Sequence, residues 1–132
     1  MTESMIDHMT LHTDDLAGME SFYGSALAPL GMSVLMRVGK ELTGRADMVG
    51  IGGHKPLLWL AGTERTRPGL HLAFRAESRA AVDAFYAAAI AAGGRSNGPP
   101  GIRAHYHPNY YAAFVFDPDD HNIEAVCQTA EG

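Results

Sequence analysis

At 132 residues the chain has the length of one domain, with room for a single core or for two small, similar halves packed together. Hydrophobic residues make up 46% and charged residues 19%, which is ordinary for a soluble globular protein. A net charge of −5 without any basic cluster argues against nucleic acid as a main partner.

One cysteine, Cys127, excludes an intrachain disulfide and fits a reducing compartment; at the end of an apolar strand it reads as a small buried hydrophobe. No signal peptide and no apolar run of membrane-crossing length are visible, so a cytoplasmic protein without a membrane partner is expected.

Residues 5–12 alternate, with Met9 and Leu11 on one face and His8, Thr10 and His12 on the other, as in a strand packed on one side. Thr13-Asp14-Asp15 supplies N-cap chemistry for a helix carrying Leu16, Met19, Phe22, Tyr23 and Leu27, ended by Pro29 and Gly31. Short strands are predicted over 32–38, 46–51 and 56–61, divided by turns at Gly39, Gly44 and Gly52-Gly53-His54-Lys55.

From Pro68 the pattern restarts. Leu70, Leu72 and Phe74 alternate with His71, Ala73 and Arg75, and Ser78 caps an Ala-rich helix with Val82, Phe85, Tyr86 and Ile90, closed by Gly93-Gly94. Gly94 to Gly101 reads as a Gly/Pro/Asn-rich connection with room for one short strand, and Ala104 to Asn109 as a loop. The chain closes on a hairpin, Tyr110 to Phe116 and Asn122 to Cys127. Its turn, Asp117-Pro118-Asp119-Asp120, has side chains able to bond nearby backbone amides.

His8 and His71, Phe22 and Phe85, Tyr23 and Tyr86, and Gly31 and Gly94 are each 63 residues apart. Four identities at one ungapped offset indicate a tandem duplication, each half reading as βαβββ with its helix on the outer face of a small, mostly antiparallel sheet. The class is α+β. Strand parity sends His8, His71 and Glu124 to the side of the sheet away from the helices. Glu124 sits among Ile123, Ala125 and Val126, where an ionised carboxylate is costly unless paired or bound to a metal; an exposed Glu on a solvated face is the alternative. If the sheet curls around that side, two imidazoles and a carboxylate converge as ligands for a divalent ion.

In these residues the chain resembles the vicinal oxygen chelate superfamily: glyoxalase I, the bleomycin-resistance proteins, the fosfomycin-resistance enzymes and the extradiol dioxygenases. The motifs are Ile6-Asp7-His8 with Asp15-Leu16 and Phe22-Tyr23, Leu70-His71-Leu72, and Phe116-Asp117-Pro118-Asp119 running to Asn122-Ile123-Glu124. The resemblance implies one glyoxalase-like domain over 1–132, with βαβββ modules at about 5–62 and 68–128. These would form an open cup of mixed sheet with the helices outside, usually in a homodimer. It also implies a small oxygen-rich substrate chelating a metal held by His8, His71 and Glu124, the ion acting as a Lewis acid. Zn, Ni, Co, Mn and Fe all suit such ligands.

Glyoxalase I draws a further ligand from the strand that the repeat pairs with that of Glu124. The 63-residue offset lands on Ala61, and the strand holds no Glu or Gln, so a three-ligand site is expected. Lyase (lactoylglutathione-lyase-like or related), isomerase or transferase chemistry is the leading expectation. The alternatives are a metal-free binding protein of the bleomycin-resistance type and an extradiol-type dioxygenase.

Thr10, Trp59 and Tyr110 are candidate substrate contacts, with core filling the alternative for Trp59. His12, His107 and Tyr111 are candidates for the general base by position. His107 falls where the dioxygenases carry a His, but Phe114 stands in place of their Tyr. His105, Tyr106 and His107 read either as a plain polar loop or as the mouth of the cup.

Overall fold

Apolar residues three and four apart build α1 (Leu16–Ala26), which follows β1 (Met9–Thr13) and buries Met19, Phe22, Tyr23 and Ala26. The structure, a computed structural model, describes residues 5–130; the first four and last two residues of the expected domain lie outside the described residues. Asp15 caps α1, its Oδ1 accepting the Gly18 N–H at 3.0 Å. A 3-10 turn at Ala28–Leu30 ends on Gly31 at φ +84°, a left-handed stop suited to glycine.

Next come β2 (Ser33–Val38), a single helical turn α2 (Lys40–Thr43), β3 (Met48–Gly52) and β4 (Pro56–Gly62). The second repeat runs β5 (His71–Arg75), α3 (Arg79–Ala91), β6 (Arg95–Ile102), β7 (Tyr111–Phe116) and β8 (Asn122–Cys127). Ser78 caps α3, accepting the Ala81 N–H at 3.0 Å.

Each repeat contributes one four-stranded sheet, in the orders β1-β4-β3-β2 and β5-β8-β7-β6. In both, the first strand pairs in parallel with the last and the other pairs are antiparallel. The alternating strand residues Leu11, Leu58, Leu60, Phe74, Ile123 and Ala125 join both helices in one core drawn from both repeats. Burying each large apolar side chain there contributes about 1.5–3 kcal/mol. Phe22, Tyr23 and Phe85 are fully buried, and α1 packs on α3.

Gly94 marks the tightest approach: a Cβ there would stand 2.5 Å from Val115 Cγ1 and 2.8 Å from Phe22 Cε1. Among the described residues no helix is long and apolar enough to cross a membrane.

Two sequence expectations change. The Gly/Pro/Asn-rich connection forms a full eight-residue strand, β6. As the outer strand of its sheet it tolerates Pro99 and Pro100, which cannot donate to a ladder, and its pairing with β7 shifts register on either side of Gly98. The repeat offset also changes along the chain. Met9 pairs with Leu58 and Leu72 with Ile123, so first strands are related by 63 residues and last strands by 65. The counterpart of Glu124 is therefore Trp59, not Ala61.

Candidate functional site

In the second sheet, β5 and β8 lie side by side with Ala73 opposite Glu124, and β7 places Phe114 opposite Glu124 on the other flank. Alternation turns Leu72, Phe74, Ile123 and Ala125 toward the helices and His71, Glu124 and Phe114 to the opposite face. Glu124 is 1% exposed. Its Oε1 lies 2.8 Å from His71 Nε2, and its Oε2 accepts the Tyr110 phenol. Partial burial first, then the Glu124 carboxylate, pushes the Tyr110 phenol up to about 12. Both carboxylate oxygens thus have donors, which offsets the cost of placing this group inside a sheet.

The His71 ring centre is 6.1 Å from that of Phe114, and Tyr110 packs edge-on to Tyr106 at 5.0 Å. The loop between β6 and β7 is closed by backbone bonds: Arg103 N–H donates to Tyr110 O at 2.7 Å, and Arg103 O accepts from Tyr106 N at 3.0 Å. His71 also lines a cavity of about 850 Å³ between the two sheets, whose other wall includes Ile6, Met9, Leu30, Met32 and Leu57.

The expected site residues fall into separate groups. His71, Glu124 and Tyr110 are together. His8 lies just ahead of β1, exposed, with Nδ1 2.7 Å from Asp7 Oδ1; that hydrogen bond, reinforced by Lys55, holds the Asp7 carboxyl below its usual range. Among the described residues no three His, Cys, Asp or Glu side chains gather as metal ligands, so a single chain brings together His71 and Glu124 without His8.

Thr10 and Trp59 are paired neighbours in the first sheet, with the indole over Gly50, where a Cβ would be 2.9 Å from it. His12 follows on the same face, its Nδ1 2.8 Å from Thr63 Oγ1. His107 is exposed, with Nδ1 accepting the Asn109 N–H at 3.1 Å. The Tyr111 phenol donates to Asp83 of α3 at 2.6 Å, which turns it to the helix side of its sheet.

Sequence reasoning passed over two features. Arg103 lies over the Phe114 ring, with Cζ 5.2 Å from its centre; the irregular β6 register hid its face. The Asp117 side chain is buried and does more than shape its turn. Its Oδ1 accepts the N–H groups of Asp119 at 2.8 Å and His121 at 2.9 Å, while its Oδ2 accepts the phenol of Tyr23 on α1. Burial pushes the Asp117 carboxyl above its ordinary value, and burial with the neighbouring Asp117 charge pushes the Tyr23 phenol well up. Only the turn chemistry of Asp117 was readable locally; its partner is 94 residues away.

The family profile described as the Glyoxalase/Bleomycin resistance protein/Dioxygenase superfamily matches residues 5–125. No curated protein matches the chain. Among solved structures, a glyoxalase/bleomycin resistance protein from Albidiferax ferrireducens T118 is 28% identical, with a TM-score of 0.76 over 96% of this chain and 100% of that one. A glyoxylase/bleomycin resistance protein/dioxygenase domain from Frankia sp. EAN1pec is 23% identical, with a TM-score of 0.69 over 97% of this chain and 100% of that one. A mutant of the fosfomycin resistance protein FosX from Listeria monocytogenes, complexed with Mn(II) and 1S,2S-dihydroxypropylphosphonic acid, shares the fold at 18% identity. Its TM-score is 0.71 over 98% of this chain and 95% of that one. On the profile match and the paired βαβββ architecture, the chain belongs to the Glyoxalase/Bleomycin resistance protein/Dioxygenase superfamily.

Proposed function

We propose that this protein is a glyoxalase-like metalloenzyme working as a homodimer, in which His71 and Glu124 of one copy and His8 of a second copy hold a divalent ion. The observation that carries this reading is the pair itself: an imidazole nitrogen 2.8 Å from one oxygen of a buried carboxylate, on the sheet face that the helices leave open. One N and one O donor, already oriented, suit Zn, Ni, Co, Mn or Fe. His8 lies on the exposed lead into β1 and outside this group, so the third donor is assigned to a second copy. The FosX relative, complexed with Mn(II) and a small dihydroxyphosphonate, supports a metal and an oxygen-rich ligand in this fold.

When bound, the ion would polarise oxygens of a small substrate and stabilise negative charge developing on them. The protein's own side chains do the rest. Tyr110 holds the second Glu124 oxygen and keeps its own proton at neutral pH. Trp59 and Thr10, across the first sheet, offer a flat apolar surface and a hydroxyl for the substrate. His12, with Nδ1 engaged by Thr63, is the proton acceptor we favour, since Tyr111 is committed to Asp83 on the helix side. Lyase, isomerase or transferase chemistry is favoured over dioxygenation, since Phe114 stands where the dioxygenases carry a Tyr and the phenol that does reach Glu124, that of Tyr110, is bonded to its Oε2.

Metal uptake by the purified protein tests the proposal. The wild type is expected to bind one ion per chain, and His8→Ala and His71→Ala none. Mixing equal amounts of the two variants during refolding should restore about one ion per four chains, because half of the reassorted dimers are mixed and one pocket of each then has all three donors. If the variants alone keep the ion, the ligand assignment fails; if no ion binds the wild type, a metal-free binding protein takes its place.

A further inference from the structure

A cation is seated on Phe114, one strand across from Glu124, with no carboxylate partner among the described residues. Arg103 Nη1 donates to the carbonyls of Gly101 at 2.9 Å and Ala112 at 3.2 Å, and Nη2 donates to that of Pro99 at 2.9 Å. The guanidinium lies against Phe114, the residue that faces Glu124 across β7 and β8 and also neighbours the His71 ring. Its seat is cut for it: a Cβ at Gly98 would be 2.8 Å from Nη2, and one at Gly101 3.3 Å from Nη1.

Two other arginines show the usual pairing, Arg37 with Glu20 and Arg95 with Asp120. Arg103 meets only neutral carbonyls among the described residues. Three of its five N–H groups are thereby used and the charge is left uncompensated. A half-buried, rigidly held guanidinium with donors to spare is an anion receptor, and its planar fork suits the paired oxygens of a carboxylate or a phosphonate. It is also tied to the site through one residue. The Arg103 N–H bonds the Tyr110 carbonyl at 2.7 Å, and the Tyr110 phenol bonds Glu124.

We propose that Arg103 sets substrate class, selecting a small molecule that carries an anionic carboxylate or phosphonate group beside the oxygens directed at His71 and Glu124. The inference rests on reading the Glu124 face as the substrate site, and it adds the charge that the substrate must bear. Arg103 would fix the anionic end against the Phe114 ring while the oxygen-bearing end reaches the metal ligands.

The test has two arms, both on the full chain followed by calorimetry. In the first, metal-free protein is titrated with methylphosphonate. Saturable binding is expected, weakened at least about fivefold in Arg103→Gln and by a smaller factor in Arg103→Lys, which retains charge but not the fork. Absence of saturable binding to the wild type, or equal binding by Arg103→Gln, overturns the proposal. So does equal loss in both variants accompanied by a fall in melting temperature, since Arg103 would then only fasten β6 to β7.

In the second arm, Mn2+-treated protein is titrated with acetohydroxamate and with succinohydroxamate, which present the same vicinal oxygens without and with a carboxylate. An advantage of at least about tenfold for succinohydroxamate, lost in Arg103→Gln, is expected. Equal binding of the two by the loaded wild type places the anion receptor outside the substrate site and overturns the proposal. If Mn2+ does not load at all, it is the metal reading that fails, and the first arm still decides for or against Arg103.

Discussion

Trp59 occupies in the first sheet the position that Glu124 occupies in the second: Thr10 stands opposite Trp59 and Ala73 opposite Glu124, with Thr10 and Ala73 matched by the repeat. The two halves therefore carry matched histidines, His8 and His71, but a carboxylate only once. If the metal pocket draws on both sheets, Trp59→Glu adds a second acidic donor. Metal affinity, measured against a competing chelator, should rise at least about tenfold, or about 1.4 kcal/mol. Stability should fall, because the indole now covering Gly50 would be lost. An unchanged affinity would show that the first sheet does not face the ion at this position.

Tyr110 reports on Glu124. Its phenol, pushed from 10.0 to about 12, is held protonated by partial burial and by the carboxylate. A raised folded value means that its stabilising contribution is complete below pH 10 and disappears as pH climbs from 10 to about 12. In Glu124→Gln the titration, followed by NMR of ring-labelled tyrosine, should return toward 10. An ion on Glu124 should move it the same way. No change in the Gln variant would break the assigned link.

The buried Tyr23–Asp117 bond joins α1 to the β7–β8 turn, so it is a bond between repeats. Asp117→Ala strands the Tyr23 hydroxyl and two backbone N–H groups, and a cost of about 2–4 kcal/mol is expected. Tyr23→Phe should cost about 1–3 kcal/mol, with a coupling of at least about 0.5 kcal/mol in the double-mutant cycle. Asp117→Asn, uncharged but still an acceptor, should cost less than Ala.

The same carboxyl carries a pH signature. Burial raises it above 3.8 in the fold, so its contribution is fully present below 3.8 and is lost as pH rises through the folded value. The wild type's margin over Asp117→Asn should therefore shrink as pH climbs out of the acid range in denaturant titrations. A margin that grows with pH would mean that the fold lowers this carboxyl instead of raising it.

Gly94→Ala tests the closeness of the packing. The added carbon would meet Val115, Phe22 and the Ala89 carbonyl at 2.5, 2.8 and 2.9 Å. A loss of about 1–3 kcal/mol is expected, since neither backbone nor core can shift freely. Gly24→Ala, with nothing within 4 Å, serves as the control and should be neutral or mildly stabilising.

Much of this architecture could be read from residue periodicity. The alternation of Leu70, Leu72 and Phe74 placed His71 on the open face, and the apolar neighbours of Glu124 marked it as a carboxylate needing partners. Parity is a local property, and it worked where the strands are regular. It failed on Arg103, because Gly98 to Gly101 shift the β6 register and no alternation survives there. It also could not place His8. A strand assumed over 5–12 starts only at Met9, leaving the imidazole on a short exposed lead with Asp7. The Tyr23–Asp117 bond was out of reach for another reason. Each residue has an adequate local role, in a helix and in a turn, and only the closed fold shows that they meet.

The way Phe22 and Tyr23 are buried has a consequence for the duplication. Tyr23 is bonded to a turn of the other repeat, and Phe22 lies against Gly94 of the other repeat. A half-length fragment ending near Arg67 would keep α1 on its own sheet but strip both aromatic rings of these partners. The ancestral motif is thus a unit of pattern and not of folding: cut between the halves, this polypeptide should yield two insoluble pieces that recover order only when mixed.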